Sequence, residues 1–123
     1  MVDDIIAARD TIQDEEIPSL LIWLQDINWP GARRIAKLLI DFGERCVEPV
    51  RDVLNKSEDE VWNYWILTEV IARWSDDVQI LLLDELLKIS GTQDLESLYR
   101  VAIDILFKNE LVEEQIKTRL AEE

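Results

Sequence analysis

Histidine is absent from the 123 residues, and cysteine occurs once, as Cys46. The missing imidazole removes Ser-His-Asp and Cys-His nucleophilic centres, and it leaves no donor set for zinc of the usual Cys/His kind. A single thiol cannot form an intramolecular disulfide. Glycine and proline number three each, too few for a low-complexity chain. Gly31, Gly43 and Gly91 stand alone, so no glycine-rich phosphate cradle can be drawn, and no D-x-D-x-D-G loop is present for an EF-hand. Apolar runs such as residues 80–83 fall far below the ~18 to 20 residues that cross a bilayer. The N-terminal Met-Val-Asp-Asp lacks the basic region and apolar stretch of a secretory signal, so a cytoplasmic location is expected.

Carboxylates are what the chain has in excess. Against 13 Lys and Arg stand 27 Asp and Glu, a net charge of −14. Such a charge repels nucleic-acid phosphate and anionic lipid, so neither nucleic acid nor membrane is expected as a partner. The excess serves solubility or matches a basic protein partner. Its distribution is uneven: residues 1–28 hold one basic and seven acidic groups, residues 29–56 six and four, and residues 57–123 six and sixteen. The middle is therefore locally basic, through Arg33, Arg34, Lys37, Arg45, Arg51 and Lys56.

A chain of this length buries about two thirds of its extended surface, enough for a core without disulfides or metal. One domain over residues 1–123 is expected. Apolar residues recur at i, i+3, i+4 and i+7 nearly everywhere, with no sustained alternation, so the fold class is all-α. Helices are expected over residues 3–11, from Ile17-Pro18, from Trp29-Pro30 to Gly43, and from residues 46–49. Ser57-Glu58-Asp59-Glu60 reads as a capping box that opens the longest helix, residues 58–73. Ser75-Asp76-Asp77 opens a helix over residues 76–89, closed by Gly91. Thr92 or Asp94 caps the next, to about residue 107, and Asn109 caps a last acidic one. Seven or eight helices joined by short loops make antiparallel neighbours.

An offset of 33 relates Trp29 to Trp62 and Leu95, Ala32 to Trp65 and Leu98, and Leu39 to Ala72 and Ile105. This weak self-similarity favours stacked helical hairpins over an irregular bundle. The stretch from Asp26 to Leu39, with Asp26 and Asn28 in the turn before a helix bearing Arg33, Arg34, Ala36 and Leu38, resembles the turn and second helix of a HEAT-type repeat. Trp23-Leu24-Gln25-Asp26-Ile27-Asn28-Trp29-Pro30, followed by Trp62-Asn63-Tyr64-Trp65-Ile66-Leu67, resembles a family of small bacterial proteins known only as a domain of unknown function, over about residues 15–90. The resemblance implies a HEAT-like right-handed superhelix of stacked antiparallel helix pairs and supplies no activity. Small helical-repeat proteins of this kind are common in bacterial toxin and immunity loci, which is an analogy of fold rather than of site.

Asp14-Glu15-Glu16, Glu58-Asp59-Glu60 and Asp76-Asp77 all fall at expected helix starts, where carboxylates face the positive end of the macrodipole. They read as caps, with oxygen-ligated Mg²⁺ or Ca²⁺ as the alternative; no metal or cofactor is expected. Cys46 reads as a small core residue. Five tryptophans are many for this length, and each indole N–H needs a partner when buried. Trp62, Trp65 and Trp74 read as core. A groove in which Trp29, Trp62, Tyr64 and Trp65 meet Arg33, Arg34 and Lys37 would supply the aromatic and Arg side chains that dominate protein-binding hot spots. The functional expectation is a non-enzymatic module that binds another, basic protein, in the manner of an immunity protein. The alternatives are an adaptor holding a peptide in the Trp-lined groove and a carboxylate-dependent hydrolase.

Overall fold

The computed structural model describes residues 2–92 and 96–122, excepting the side chains of residues 96 and 97. Among the described residues the regular structure is helical and no strand is present. In chain order the helices are α1 (Val2–Ala7), α2 (Ile17–Ile22), α3 (Ala32–Phe42), α4 (Val47–Lys56), α5 (Glu60–Glu69), α6 (Asp76–Gln79), α7 (Leu83–Ser90), α8 (Glu96–Lys108) and α9 (Val112–Glu122). Pro18 sits in the first turn of α2, where its missing N–H costs nothing. Gly43 ends α3 at φ +57°, a backbone state that favours glycine.

The helices form two rows. α2, α4 and α7 pack in succession on one side, α3, α5 and α8 on the other, and α2–α3, α4–α5 and α7–α8 pack as pairs. Between the rows runs one contiguous apolar cluster from Ile12 to Ile105. Long-range polar contacts join residues about one helix pair apart. Arg45 reaches Asp14 at 2.8 Å, Trp74 Nε1 donates to the Leu39 carbonyl at 3.3 Å, Arg51 reaches Glu85 at 3.0 Å, and Arg119 reaches Asp84 at 2.5 Å, over separations of 31, 35, 34 and 35. Arg51 also holds Glu48 and the Leu81 carbonyl, and its hydrogen bonds to Glu85 and then Glu48 push its pKa further up.

Several helices are shorter than their apolar periodicity predicts, and a distant group explains two of the breaks. The expected helix over residues 58–73 stops at Glu69, because Val70 leaves helical geometry at φ −123°, ψ −67° and a 3₁₀ turn follows over Ile71–Arg73. The Ile71 carbonyl is taken by the buried Gln79 side chain at 2.7 Å. α8, at 13 residues, is the longer helix. The expected helix over residues 76–89 tightens into a 3₁₀ turn at Ile80–Leu82, where Arg51 captures the Leu81 carbonyl. The first helix ends at Ala7, and Thr11 Oγ1 donates to the Ala8 carbonyl in the turn beyond.

Caps also differ in detail. Asp59, not Ser57, caps α5: its carboxylate accepts from the Trp62 amide at 3.0 Å, while Ser57 Oγ accepts from the Asp59 amide. Glu60 is the first residue of α5 rather than a reciprocal cap, and a capping box forms instead between Gln13 and Glu16. The acidic side chain that fits the orphan amides best lies two residues past the serine. Thr92 Oγ1 donates to the Ile89 carbonyl; Asp94 and Leu95 lie outside the described residues. Asn109 Oδ1 accepts from the Leu111 amide at 2.8 Å, in the turn that leads into α9. No helix is long and apolar enough to cross a membrane among the described residues.

Candidate functional site

The turn before α3 is shaped by its own side chains. Asp26 Oδ1 accepts from the Asn28 amide at 2.9 Å, and the Trp29 amide donates to the Asp26 carbonyl at 3.0 Å. This Asx-type turn, followed by Pro30, holds Trp29 at the surface with 42% of its area exposed. Gly31 then takes φ +85° to start α3. A hollow of about 250 Å³ opens here, lined by Ile27, Asn28, Trp29, Gly31, Arg33 and Arg34. Arg34 also borders two neighbouring hollows. One, about 340 Å³, includes Val2, Asp3, Trp23 and Pro30; the other, about 290 Å³, includes Ile6, Arg9, Lys37 and Asp41.

The electrostatics of this region are milder than its basic residues suggest. Arg34 pairs with Asp3 at 2.5 Å, Arg9 with Asp41 at 3.2 Å, and Arg33 with Glu69 at 3.5 Å. Glu69 is largely covered and also meets Arg73 at 3.4 Å. Lys37 makes no ion pair among the described residues. The guanidiniums are thus held in place by carboxylates, with their planar faces and N–H edges turned partly to solvent.

The expected aromatic groove does not assemble as one surface. Trp29 stands with Arg33 and Arg34, and Lys37 joins Arg34 in the next hollow; Trp62, Tyr64 and Trp65 line none of these three hollows. They sit on α5, half-buried and packed against the core. Trp62 Nε1 donates to the Leu21 carbonyl at 2.8 Å, which ties α5 to α2. Tyr64 and Trp65 meet edge to face at 5.1 Å and 78°. Trp74 is buried with its indole on Leu39. Trp23, not singled out from the sequence, lines the Arg34 hollow and a larger one of about 510 Å³ between α1 and α2. Its place one turn before the Asp26 turn was the available signal.

Among the described residues no three or more Cys, Asp and Glu side chains stand close enough to share a metal ion. The acidic clusters lie at helix starts, Asp14-Glu15-Glu16 in a 3₁₀ turn, Asp59 at the cap of α5 and Asp76-Asp77 in the first turn of α6. Cys46 is buried with Sγ 3.6 Å from the Leu39 carbonyl. Burial pushes its thiol up to about 12, with Arg45 opposing and Asp14 reinforcing, so it is a poor nucleophile near neutral pH.

No curated protein matches the sequence. The family described as Domain of unknown function (DUF5071) matches residues 2–106, a wider span than the two Trp-rich stretches on which the resemblance rests. With that match extending from α1 to within two residues of the end of α8, the chain belongs to the DUF5071 family.

Proposed function

We propose that the chain is a non-enzymatic protein-binding module of the bacterial cytoplasm that covers a basic surface of another protein, as an immunity protein covers its toxin. The observation that carries this reading is the contrast among the five tryptophans. Trp74 is buried, Trp23, Trp62 and Trp65 are half-buried, and Trp29 is exposed beside Arg33 and Arg34 in its own hollow. A rigid aromatic flanked by guanidiniums held by carboxylates is a hot-spot anchor. The net charge of −14 supplies the long-range attraction for a basic partner. We read the two rows as a HEAT-like right-handed superhelix of antiparallel pairs, and the spacing of 31 to 35 residues between bonded partners supports that reading.

A second reading, an adaptor that holds a peptide, is favoured by the mixed lining of the Trp29 hollow, where Ile27 and Asn28 add an apolar wall and an amide. Both are tested by capture on the immobilised full chain from its native host, with the captured protein then titrated against salt. The expected result is a basic partner whose affinity falls with salt and drops roughly tenfold for Trp29→Ala. An acidic partner, or one that binds the Trp29→Ala chain and the parent alike at all salt concentrations, overturns the reading. A peptide segment of the partner that binds as tightly as the whole protein selects the adaptor.

A further inference from the structure

A hollow of about 510 Å³ lies between α1 and α2. α1 packs against α3, where the Asp3–Arg34 pair holds it, and its contact with α2 is slight. No residue of α1 is fully buried. Close-packed elements leave few voids larger than a water molecule. The space beside α1 is instead of the size that holds a small organic ligand, about 300–1,000 Å³. Its walls are apolar on both sides: Ile5 comes from α1, Leu20 from α2 and Trp23 from the 3₁₀ turn that follows α2. Leu20 is buried, and Ile5 and Trp23 are half-buried against the core.

The charge in this hollow has one sign. Asp4 and Glu16 are the charged side chains that line it, and among the described residues no Lys or Arg does. Glu16 Oε1 accepts from the Gln13 amide at 3.4 Å, and its carboxylate makes no ion pair among the described residues. Arg9 and Arg45 pair with Asp41 and Asp14, neither of which lines the hollow. An anionic ligand is repelled both by these carboxylates and by the net charge of −14, whereas a cation is drawn in. Trp23 adds an indole, the ring that holds a cation best. A single Lys or Arg side chain would fill only part of the space, so the ligand that fits has an apolar body as well as a cationic head.

We propose that the hollow between α1 and α2 is a binding site for an arylalkyl ammonium ion, its ring against Ile5, Leu20 and Trp23 and its ammonium group at the Glu16 carboxylate. The site is separate from the Trp29 hollow. The probes are phenethylamine, neutral 2-phenylethanol and anionic 3-phenylpropionate, each titrated calorimetrically into the full chain at pH 7. Phenethylamine is expected to bind roughly fivefold tighter than 2-phenylethanol, and 3-phenylpropionate weakest. Glu16→Gln keeps an acceptor for the Gln13 amide and is expected to weaken phenethylamine by about threefold to fivefold while leaving 2-phenylethanol unchanged. Ser19→Phe fills the hollow from its exposed edge and is expected to abolish binding of both with an unchanged circular dichroism spectrum. Bound phenethylamine is expected to slow hydrogen exchange in α1 of the parent and not of Ser19→Phe, because the ligand bridges α1 to α2. The same ammonium chemistry stands at an N-terminal Phe, so Phe-Ala-Ala amide forms a second arm: tighter binding than phenethylamine assigns the ligand to a peptide N-terminus, weaker binding to a free amine. Trp29→Ala is expected to leave these affinities unchanged, which separates failure here from failure of the Trp29 reading. Equal affinity for phenethylamine and 2-phenylethanol, an affinity that Glu16→Gln or Ser19→Phe leaves unchanged, or no binding of any probe overturns the proposal.

Discussion

Val2 lies where a side chain on residue 31 would have to go: a Cβ at Gly31 would fall 2.9 Å from Cβ of Val2 and closer still to one of its methyls. Glycine is therefore required there twice, by the contact and by φ +85°. Gly31→Ala is expected to cost about 1–2 kcal/mol from the left-handed backbone alone, and more if α1 is displaced. Urea denaturation measures the first. Faster tryptic cleavage at Arg9 in the variant than in the parent measures the second. An unchanged midpoint with unchanged cleavage would mean that α1 is not seated on this turn.

Gln79 and Asn109 form a buried polar pair. Asn109 Nδ2 donates to Gln79 Oε1 at 3.0 Å, and Gln79 Nε2 to the Ile71 carbonyl at 2.7 Å. Gln79→Leu removes both; the Ile71 carbonyl keeps the Trp74 amide and Asn109 Nδ2 keeps the Asp76 carbonyl, so the expected cost is about 0.5–1.5 kcal/mol for each bond lost. Asn109→Ala is expected to be less than additive with it, with a coupling of about 0.5–3 kcal/mol in a double-mutant cycle. Strict additivity would show that the two side chains act independently.

Cys46 makes stability depend on pH in alkali. Its folded pKa of about 12 lies above the ordinary 9.0, so the folded state keeps a proton that the unfolded chain releases. The stabilisation is intact below pH 9 and declines from there to about pH 12, by about 1.4 kcal/mol per pH unit. The quantity to measure is the difference between the parent and Cys46→Ala in urea midpoints from pH 8 to 11. Parallel profiles would contradict the buried thiol. Native protein should also react slowly with a disulfide reagent at pH 8 and rapidly in denaturant.

The contrast between Ile103–Phe107 and Trp62–Trp65 shows what a helical pattern conveys. On α5, aromatic residues three apart suggest a display surface, yet α5 lies between α3 and α8 and the Trp62 indole bonds to α2. On α8, Phe107 is four residues from Ile103 and off the face of Ala102 and Ile105, a pattern of exposure that the sequence carries. Periodicity tells which residues share a face, and only the neighbours tell whether that face is covered.

Local chemistry alone determined the all-α class, the start of α2 at Ile17-Pro18 and the stop of α3 at Gly43, because these follow from periodicity and backbone preference within a few residues. It also determined that imidazole chemistry is absent. The break at Val70, the 3₁₀ turn at Ile80 and the burial of Trp74 were decided by tertiary structure. Each depends on a group from another helix or turn, such as Gln79 on the Ile71 carbonyl, Arg51 on the Leu81 carbonyl or Leu39 on the Trp74 indole, and such a partner exists only once the rows have packed.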